Sequence, residues 1–359
     1  MSENNSISEG IVNLSEFRRD PLKATWVITA NHRAREPRDF YLDRQHLQTS
    51  ACPFCPGHEE KTPVEVFAVR PPGLPANGPG WQVRVVPNKF PLLRIEGELG
   101  RRAEGLYEVM EGIGAHEVVI ETPDHERAMA DLSTAEITLV LQAYRARLLD
   151  LRRDPRFRYL QIFKNHGVEA GAPLPHAHSQ IMAVPITPPT TKGELKSCRD
   201  YFRSHDRCLL CDIVSQEQAD GRRVVLDDGR FLAVAPYASC FPFELRLFPL
   251  RHAHDFALQE DAELEACAEA LRNLMRRLRA LLRDPPFNFI LHTAPPMQPR
   301  PGRPDYWASL PFDYHWHIEL VPRLSRIAGF EWGSGFFINL MPPEDAARFL
   351  CGIDPDSSL

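Results

Sequence analysis

Apolar residues recur at helical spacing in two long segments of the chain. The first, residues 133–153, begins with Ser133 followed three positions later by Glu136, which is the pattern of a capping box. In the second segment, Asp261 is the predicted helix cap. Each segment ends at an Asp-Pro pair, where proline stops a helix. The apolar positions are Ile137, Val140, Leu141, Tyr144, Leu148 and Leu151 in the first helix and Leu264, Leu271, Leu274, Leu278 and Leu281 in the second.

The order of segments around the two helices is duplicated. Each half contains a Cys-x-x-Cys pair, a strand, a strand with a histidine, a long helix, another strand, and a strand that opens with His-x-His. The pattern predicts an α+β fold of two units, each a mainly antiparallel sheet with a packed helix. We expect a flexible N-terminus over 1–19, an N-terminal unit over 20–190 and a C-terminal unit over 191–359, divided near the Pro- and Thr-rich stretch 185–197.

Composition limits the classes of protein that the chain can be. Its 359 residues are enough for two compact units, and 43% hydrophobic with 25% charged residues is typical of a globular protein. The net charge of -6 argues against a nucleic-acid surface, and no apolar run is long enough to cross a bilayer. The polar N-terminus lacks an apolar signal core. We therefore expect a cytoplasmic protein with no nucleic-acid or membrane partner.

Four of the eight cysteines form two Cys-x-x-Cys pairs. Without an export signal, such pairs indicate metal binding rather than disulfides. Zinc prefers four tetrahedral ligands that combine thiolate sulfur and imidazole nitrogen, and a closed set of four protein ligands is typical of a structural site. Each half offers two histidines at matching places in the repeat. The predicted zinc ligands are Cys52, Cys55, His116 and His176 in the first half and Cys208, Cys211, His252 and His315 in the second.

Other assignments of these residues are open at the level of sequence. His58 competes with His116 for the first site, and His254 competes with His252 for the second. The Cys-x-x-Cys pairs could instead be redox-active dithiols. We rank the redox interpretation lower, because there are two such pairs and neither is expected to open a helix after a parallel strand.

The segment HAHSQ, residues 176–180, is predicted to carry the chemistry. Alternate residues of a strand share a face, so His176, His178 and Gln180 point the same way. The small, glycine-containing stretch 165–173 before it can bring backbone N–H groups close to a phosphate. A neutral imidazole can attack phosphorus through one nitrogen while a hydrogen bond holds the other. We therefore predict that His178 is a nucleophile and that Gln180 donates to a phosphate oxygen.

The longer motifs resemble a known family over nearly the whole chain. They are DPLKATWVITANHRAREP (20–37), CPFCPGHE (52–59), NHGVEAGAPLPHAHSQ (165–180) and GFEWGSGFFINLMPPEDAA (329–347). The sequence resembles the galactose-1-phosphate uridylyltransferase family of the histidine-triad superfamily, and within it the branch typified by ADP-glucose phosphorylase. The resemblance implies two histidine-triad-like units and transfer in two steps. His178 would attack the α-phosphorus of a nucleoside diphosphate hexose, hexose 1-phosphate would leave, and a phosphate-bearing acceptor would take the nucleotide.

The resemblance also implies further contacts and a degenerate second site. Phosphate or nucleotide contacts fall on Arg33, Asn88, Asn165 and Gly167 together with Gln180, the sugar end falls near 331–337, and many members of the family are homodimers. In the second half, His317 and Glu319 stand where His178 and Gln180 stand in the first. A carboxylate would repel a phosphate, so we expect no catalysis there, only packing and substrate contact.

Two reactions are the main candidates for the activity of the protein. The first is uridylyl transfer between UDP-glucose and a hexose 1-phosphate, in galactose metabolism, and the alternative is adenylyl transfer from ADP-glucose to inorganic phosphate. Ala177 and Glu36 depart from the uridylyltransferase pattern, which typically has proline and a basic residue there. A histidine-triad hydrolase, which generally has a third histidine at the position of Gln180, and a non-catalytic nucleotide sensor are more distant alternatives.

Overall fold

The computed structural model describes residues 15–30, 35–42, 52–299, 302 and 305–356. Its centre is a ten-stranded sheet in which all neighbouring strands are antiparallel. With strands numbered along the chain, the spatial order is β10 (Val224–Asp227), β11 (Phe231–Val234), β12 (Leu245–Pro249), β14 (His317–Pro322), β13 (Phe287–His292), β8 (Tyr159–His166), β9 (His178–Val184), β7 (Ala115–Ile120), β4 (Val83–Pro87) and β3 (Phe67–Val69).

The duplication that the sequence predicts is visible in this order. From the centre outwards, β8, β9, β7, β4 and β3 match β13, β14, β12, β11 and β10, and the two halves meet where β8 pairs with β13. In that pair Phe287 lies opposite His166 and Leu291 opposite Ile162. The predicted α+β class is confirmed, and the two expected sheets are joined into one.

The two predicted helices pack together on one face of the sheet. They are α1 (Thr134–Leu151) and α4 (Asp261–Leu282), and Arg145 on α1 forms an ion pair with Asp261 on α4. The capping box of α1 is present, since Glu136 Oε2 accepts from the Ser133 N–H at 2.8 Å. The predicted cap of α4 was wrong by one residue, because Glu260 caps the helix and Asp261 is its first residue.

The other face of the second half-sheet is covered by α2 (Pro189–His205) and α3 (Leu209–Asp220). Side chains alternate along β11, so Phe231 and Ala233 pack towards α4, whereas Leu232 and Val234 pack with Leu210 of α3. Cys208 caps α3, which follows another helix rather than a parallel strand. In the described part of the chain, no helix combines the length and the apolarity needed to cross a membrane.

The start of the described chain packs against the second half. Strands β1 (Glu16–Arg19), β2 (Trp26–Thr29) and β15 (Phe337–Asn339) form a small sheet. Of the N-terminus expected to be flexible, residues 1–14 lie outside the described residues, and Glu16–Arg19 form a strand instead. The division into 20–190 and 191–359 stays a prediction. The remaining elements are the hairpin β5 (Arg102–Glu104) and β6 (Tyr107–Val109) and the short helices α5 (Leu310–Asp313), α6 (Gly329–Ser334) and α7 (Pro343–Cys351).

Candidate active site and metal centres

His178 is the first residue of β9, between β7 and β8. Gln180 lies two residues further on, so both side chains point to the same face of the sheet. The pairing of β8 with β9 places Phe163 opposite Gln180, and two residues along this register Asn165 comes opposite His178. The strands therefore bring the predicted nucleophile and two predicted phosphate contacts onto one face.

One ring nitrogen of His178 is occupied by a hydrogen bond. Nδ1 donates to the backbone oxygen of His176 at 2.8 Å, which fixes the tautomer and leaves Nε2 unprotonated. The side chain is 6% exposed. Burial lowers the pKa of His178, and the nearby ammonium of Lys164 lowers it further. His178 is therefore a neutral imidazole near pH 7, which is the form that acts as a nucleophile.

A buried polar network fixes the strand backbone at His178. Lys164 Nζ donates to the backbone oxygen of His178 at 3.1 Å and to Glu121 Oε2 at 2.7 Å. The hydroxyl of Tyr144 donates to Ser179 Oγ at 2.6 Å. All of these side chains are buried. Lys164 and Glu121 could not be predicted from the sequence, because isolated Lys and Glu residues are mostly exposed to solvent.

Gln180 is oriented by His116, which the sequence predicts as a zinc ligand. His116 Nε2 donates to Gln180 Oε1 at 2.8 Å, so the amide group of Gln180 remains available as a donor. Asn88 is linked to His116 through its backbone N–H, which donates to His116 O at 2.8 Å. The predicted contacts Asn88 and Gln180 are thus joined through His116 into one polar chain.

Asn165 is oriented from the second half of the chain. Asn288 on β13 donates through Nδ2 to Asn165 Oδ1 at 2.8 Å and to the backbone oxygen of Ala170 at 3.0 Å. The contact leaves the Asn165 amide nitrogen as a donor on the active face. Asn288 could not have been found from its place in the repeat, because its contact with Asn165 depends on β13 pairing with β8.

Gly167 begins a tight loop next to this amide. Its φ of +82° lies in the left-handed region, and an added Cβ would lie 2.8 Å from Pro286 Cβ. The Gly167 oxygen accepts from the N–H groups of Ala170 at 3.2 Å and Ala172 at 3.0 Å. Glycine is therefore required here by its φ and by its packing against Pro286, and the phosphate contact at Gly167 stays a prediction.

Two other predicted parts of the site are not placed beside His178. Arg33 lies outside the described residues. The stretch 331–337 expected at the sugar end overlaps α6, where Glu331 Oε2 accepts from the Ala328 N–H at 3.0 Å. Glu331 and Phe337 instead line a separate cavity of about 170 Å³ with Arg35.

The first group of potential metal ligands is Cys52, Cys55, His125 and His176, whose ligand atoms all lie within 4.8 Å of one another. Cys52 Sγ is 3.6 Å from His176 Nδ1, and Cys55 Sγ is 3.4 Å from His125 Nδ1 and 3.7 Å from His176 Nδ1. In tetrahedral zinc, Zn–S of about 2.3 Å and Zn–N of about 2.0 Å place sulfur and nitrogen about 3.5 Å apart. These residues therefore have the spacing of a tetrahedral zinc site.

The prediction of His116 as a metal ligand was wrong, because His125 stands in its place. His125 follows the end of β7, as His252 follows the end of β12, whereas His116 lies near the start of β7. Position relative to the strand end would have selected His125. The competitor His58 is also not a ligand, since its Nδ1 donates to the backbone oxygen of Cys52 at 2.7 Å.

The second group contains the four predicted residues Cys208, Cys211, His252 and His315. Cys211 Sγ is 3.2 Å from His252 Nδ1 and 3.4 Å from His315 Nδ1. His252 Nε2 donates to the backbone oxygen of Pro311 at 2.9 Å, just as His176 Nε2 in the first group donates to that of Thr122 at 2.8 Å. Such bonds direct the other ring nitrogen towards a metal. His254 is not part of the group.

The counterpart of the active site in the second half is filled by charged side chains. Glu319 accepts from Lys23 Nζ at 2.7 Å and from Arg246 Nε at 2.8 Å. His317 stacks on His292, with ring centroids 4.5 Å apart, and is fully buried. Glu194 completes the cluster, 3.0 Å from His292 Nδ1. The expected packing role of His317 and Glu319 fits this arrangement, in which two protein cations neutralise Glu319.

Both halves of the chain match family models. The N-terminal domain of galactose-1-phosphate uridyl transferase matches residues 7–188, and the C-terminal domain matches residues 194–331. The chain is 34% identical to ADP-glucose phosphorylase of Arabidopsis thaliana over 341 residues, which is 93% of this chain and 92% of that protein. It is 26% identical to galactose-1-phosphate uridylyltransferase of Thermotoga maritima over 345 residues, which is 94% of this chain and 98% of that protein.

Solved structures show the same architecture. An ADP-glucose phosphorylase from Arabidopsis thaliana, solved with bound ADP-glucose, superposes with a TM-score of 0.78 at 32% identity and covers 95% of this chain and 99% of its own. A uridylyltransferase structure superposes with a TM-score of 0.70 at 28% identity and covers 94% and 97%. The likeness extends over both halves of the duplicated fold.

Proposed function

Since the chain belongs to the galactose-1-phosphate uridyl transferase family and is a nucleotidyltransferase, we propose that it works by double displacement through His178. The observation that carries the proposal is the hydrogen bond from His178 Nδ1 to the His176 oxygen at 2.8 Å. Because Nδ1 carries the proton, Nε2 is the unprotonated nitrogen of a buried neutral imidazole. The amide groups of Gln180 and Asn165 lie on the same face.

In the first step, Nε2 of His178 attacks the α-phosphorus of a nucleoside diphosphate hexose. The Nε2–P bond forms, the bond from the α-phosphorus to the bridging oxygen breaks, and hexose 1-phosphate leaves with that electron pair. Positive charge develops on the imidazole ring, and the Nδ1–H donor to the His176 oxygen stabilises it. In the second step, an oxygen of the acceptor phosphate attacks the same phosphorus and His178 leaves.

Gln180 suits this leaving group better than a titrating residue would. Hexose 1-phosphate departs as an anion and needs no proton, whereas an alcohol or amine leaving group needs a general acid. An amide cannot protonate but can donate to a phosphate oxygen throughout the reaction. Asn165 and the loop that starts at Gly167 would supply further donors. An amide side chain at position 180 therefore favours a transferase over a hydrolase of the histidine-triad type.

Adenylyl transfer from ADP-glucose to inorganic phosphate is the leading reaction. It is supported by 34% identity to an ADP-glucose phosphorylase, against 26% to a uridylyltransferase at similar coverage. Ala177 and Glu36 also depart from the uridylyltransferase pattern, which counts against uridylyl transfer. Uridylyl transfer to a hexose 1-phosphate is the second candidate, supported by the match of both family models.

The test is a panel of donors and acceptors. ADP-glucose and UDP-glucose are each incubated with the enzyme, and the covalent adduct is measured by intact mass. The adduct is then chased with phosphate or with a hexose 1-phosphate. We expect an AMP adduct that phosphate releases as ADP. His178→Ala should form no adduct, whereas the control His205→Ala, at an exposed histidine, should behave as wild type. Binding of both donors without any adduct would refute the mechanism.

We further propose that the two Cys-His groups hold structural zinc. Each offers two thiolates and two imidazoles at tetrahedral spacing, with no position left for substrate. Bound zinc would tie Cys52 and Cys55 to His176 and so fix the start of the strand that carries His178. Metal analysis should find about two zinc ions per chain. A homodimer and a cytoplasmic location stay predictions.

A further inference from the structure

A large cavity lies at the end of β9 that is farther from His178. It has a volume of about 650 Å³, and its walls come from the linker at 185–187, from α2, from Arg158 just before β8 and from the segment 306–313. At about 3.3 Å per residue, the seven residues of β9 separate it from His178 by roughly 20 Å. The cavity is therefore distinct from the proposed active site, and nothing in the proposed mechanism uses it.

The cavity is strongly basic although the chain as a whole is acidic. Two carboxylates line it. One is Asp200, which forms an ion pair with Lys196 at 2.5 Å. The other is Asp313, which is 2% exposed. Six cations line the same walls: Arg101, Arg158, Lys192, Lys196, Arg199 and Arg203. The local balance is thus four positive charges, six minus two, in a chain whose net charge is -6.

Four of these cations form a stripe along α2. Lys192, Lys196, Arg199 and Arg203 follow a spacing of four, three and four residues, which places them on one face of the helix. Like charges at this spacing destabilise a helix. Among the described residues, no carboxylate forms an ion pair with Lys192, Arg199 or Arg203. The ion pair between Lys196 and Asp200 therefore offsets only part of the repulsion within the stripe.

One wall of the cavity is aromatic and packs against Arg199. Arg199 Nε is buried and has no hydrogen-bond partner among the described residues, while its guanidinium lies 5.4 Å from the centre of the Tyr306 ring. This cation–π contact holds the Arg199 guanidinium at the wall of the cavity. Beside it, the half-buried rings of Tyr306 and Trp307 and the side chain of Leu195 give the cavity an apolar wall.

We propose that this cavity is a second, non-catalytic site that binds a polyphosphate chain. Its volume is that of a small-molecule pocket. Arginine and lysine side chains from several elements converge on it, and such groups bind phosphate through charge-assisted hydrogen bonds. The chain could belong to a nucleoside triphosphate, whose base would lie against the aromatic wall, or to inorganic polyphosphate. The site does not depend on the proposed function, because no residue of the His178 site contributes to it.

The test compares binding of sodium tripolyphosphate and of ATP to three proteins. The first is wild type, the second carries Lys192→Glu with Arg203→Glu, and the third carries Arg222→Glu with Arg348→Glu. All four side chains are exposed, and each double variant changes the net charge by the same amount. We expect the α2 variant to bind tripolyphosphate at least about tenfold more weakly than wild type, while the control retains wild-type affinity. Tighter binding of ATP than of tripolyphosphate would identify the nucleotide as the source, and equal binding would identify the phosphate chain alone.

Three results would overturn the proposal. They are no binding of either probe to wild type, equal affinities in both double variants, and tighter binding of a single-stranded oligonucleotide than of either probe. Adduct formation at His178 serves as the independent check on folding and should be the same in all three proteins. Loss of the adduct in every protein would count against the double-displacement mechanism and leave the binding result standing.

Discussion

His116 Nε2 donates to Gln180 Oε1 at 2.8 Å, from one strand of the sheet to the next. The sequence predicts His116 as a zinc ligand, but in the structure it binds the side chain of Gln180, which we propose as a phosphate contact. A histidine that holds an amide and a histidine that binds zinc differ in what their loss would remove. Replacing His116 on β7 and His125 in the loop that follows it, one at a time, distinguishes these two roles.

His116→Ala should slow nucleotidyl transfer and leave the metal content unchanged. Without the His116 donor, the Gln180 amide is free to rotate, and its N–H groups are no longer held towards the substrate. Loss of such a positioning residue costs about tenfold or more in rate. The first-step rate should fall while zinc stays at the wild-type level. Loss of one zinc ion per chain in this variant would return His116 to the ligand set.

His125→Ala is expected to give the reverse result. It removes one of four ligands, so the first metal group should lose its ion while the second, Cys208, Cys211, His252 and His315, keeps its own. Zinc should fall from about two ions per chain to about one, and thermal stability should fall with it. His125→Cys is the matched variant, because a thiolate is also a zinc ligand, and it should retain the ion. Unchanged zinc in His125→Ala would refute the assignment.

Gly167→Ala should damage both stability and activity. The left-handed φ of +82° and the 2.8 Å approach to Pro286 Cβ together force the loop to move. We expect a loss of about 1–3 kcal/mol in the free energy of unfolding and weaker binding of the substrate phosphates. Gly221→Ala is the control, since its φ is +72° but nothing lies within 4 Å of an added Cβ. Equal effects of the two substitutions would mean that the contact with Pro286 has no role.

Local pattern predicted much of this molecule, and long-range pairing decided the rest. The capping box of α1, the order of segments in the repeat and the shared face of His178 and Gln180 depend on neighbouring residues, so they could be predicted from the sequence. The ligand role of His125 depends on where β7 ends, and the support given by Asn288 depends on β13 pairing with β8. The merging of two sheets into one also depends on that pair, which joins residues over a hundred positions apart in sequence.

The buried cluster of the second half should make stability depend on pH. Burial lowers the pKa of His292, but the carboxylates of Glu194 and Glu319 outweigh that effect and raise it to about 9, from an ordinary value of 6.5. The folded protein therefore binds more protons at His292 than the unfolded chain does between these two pH values. The stabilisation is fully present below pH 6.5 and is lost as pH rises through about 9.

Thermal unfolding measured across that interval tests this expectation. Wild type should lose stability as pH rises, by at most about 1.4 kcal/mol per pH unit for one proton. His292→Gln should lower stability at pH 6.5 and remove this slope, because it breaks a buried pair and has no titrating group. His205→Gln, at an exposed histidine, should keep the slope. If His292→Gln does not fold, titration of the His292 ring by NMR in wild type decides the matter, and a midpoint at or below 6.5 would show that the carboxylates do not hold its proton.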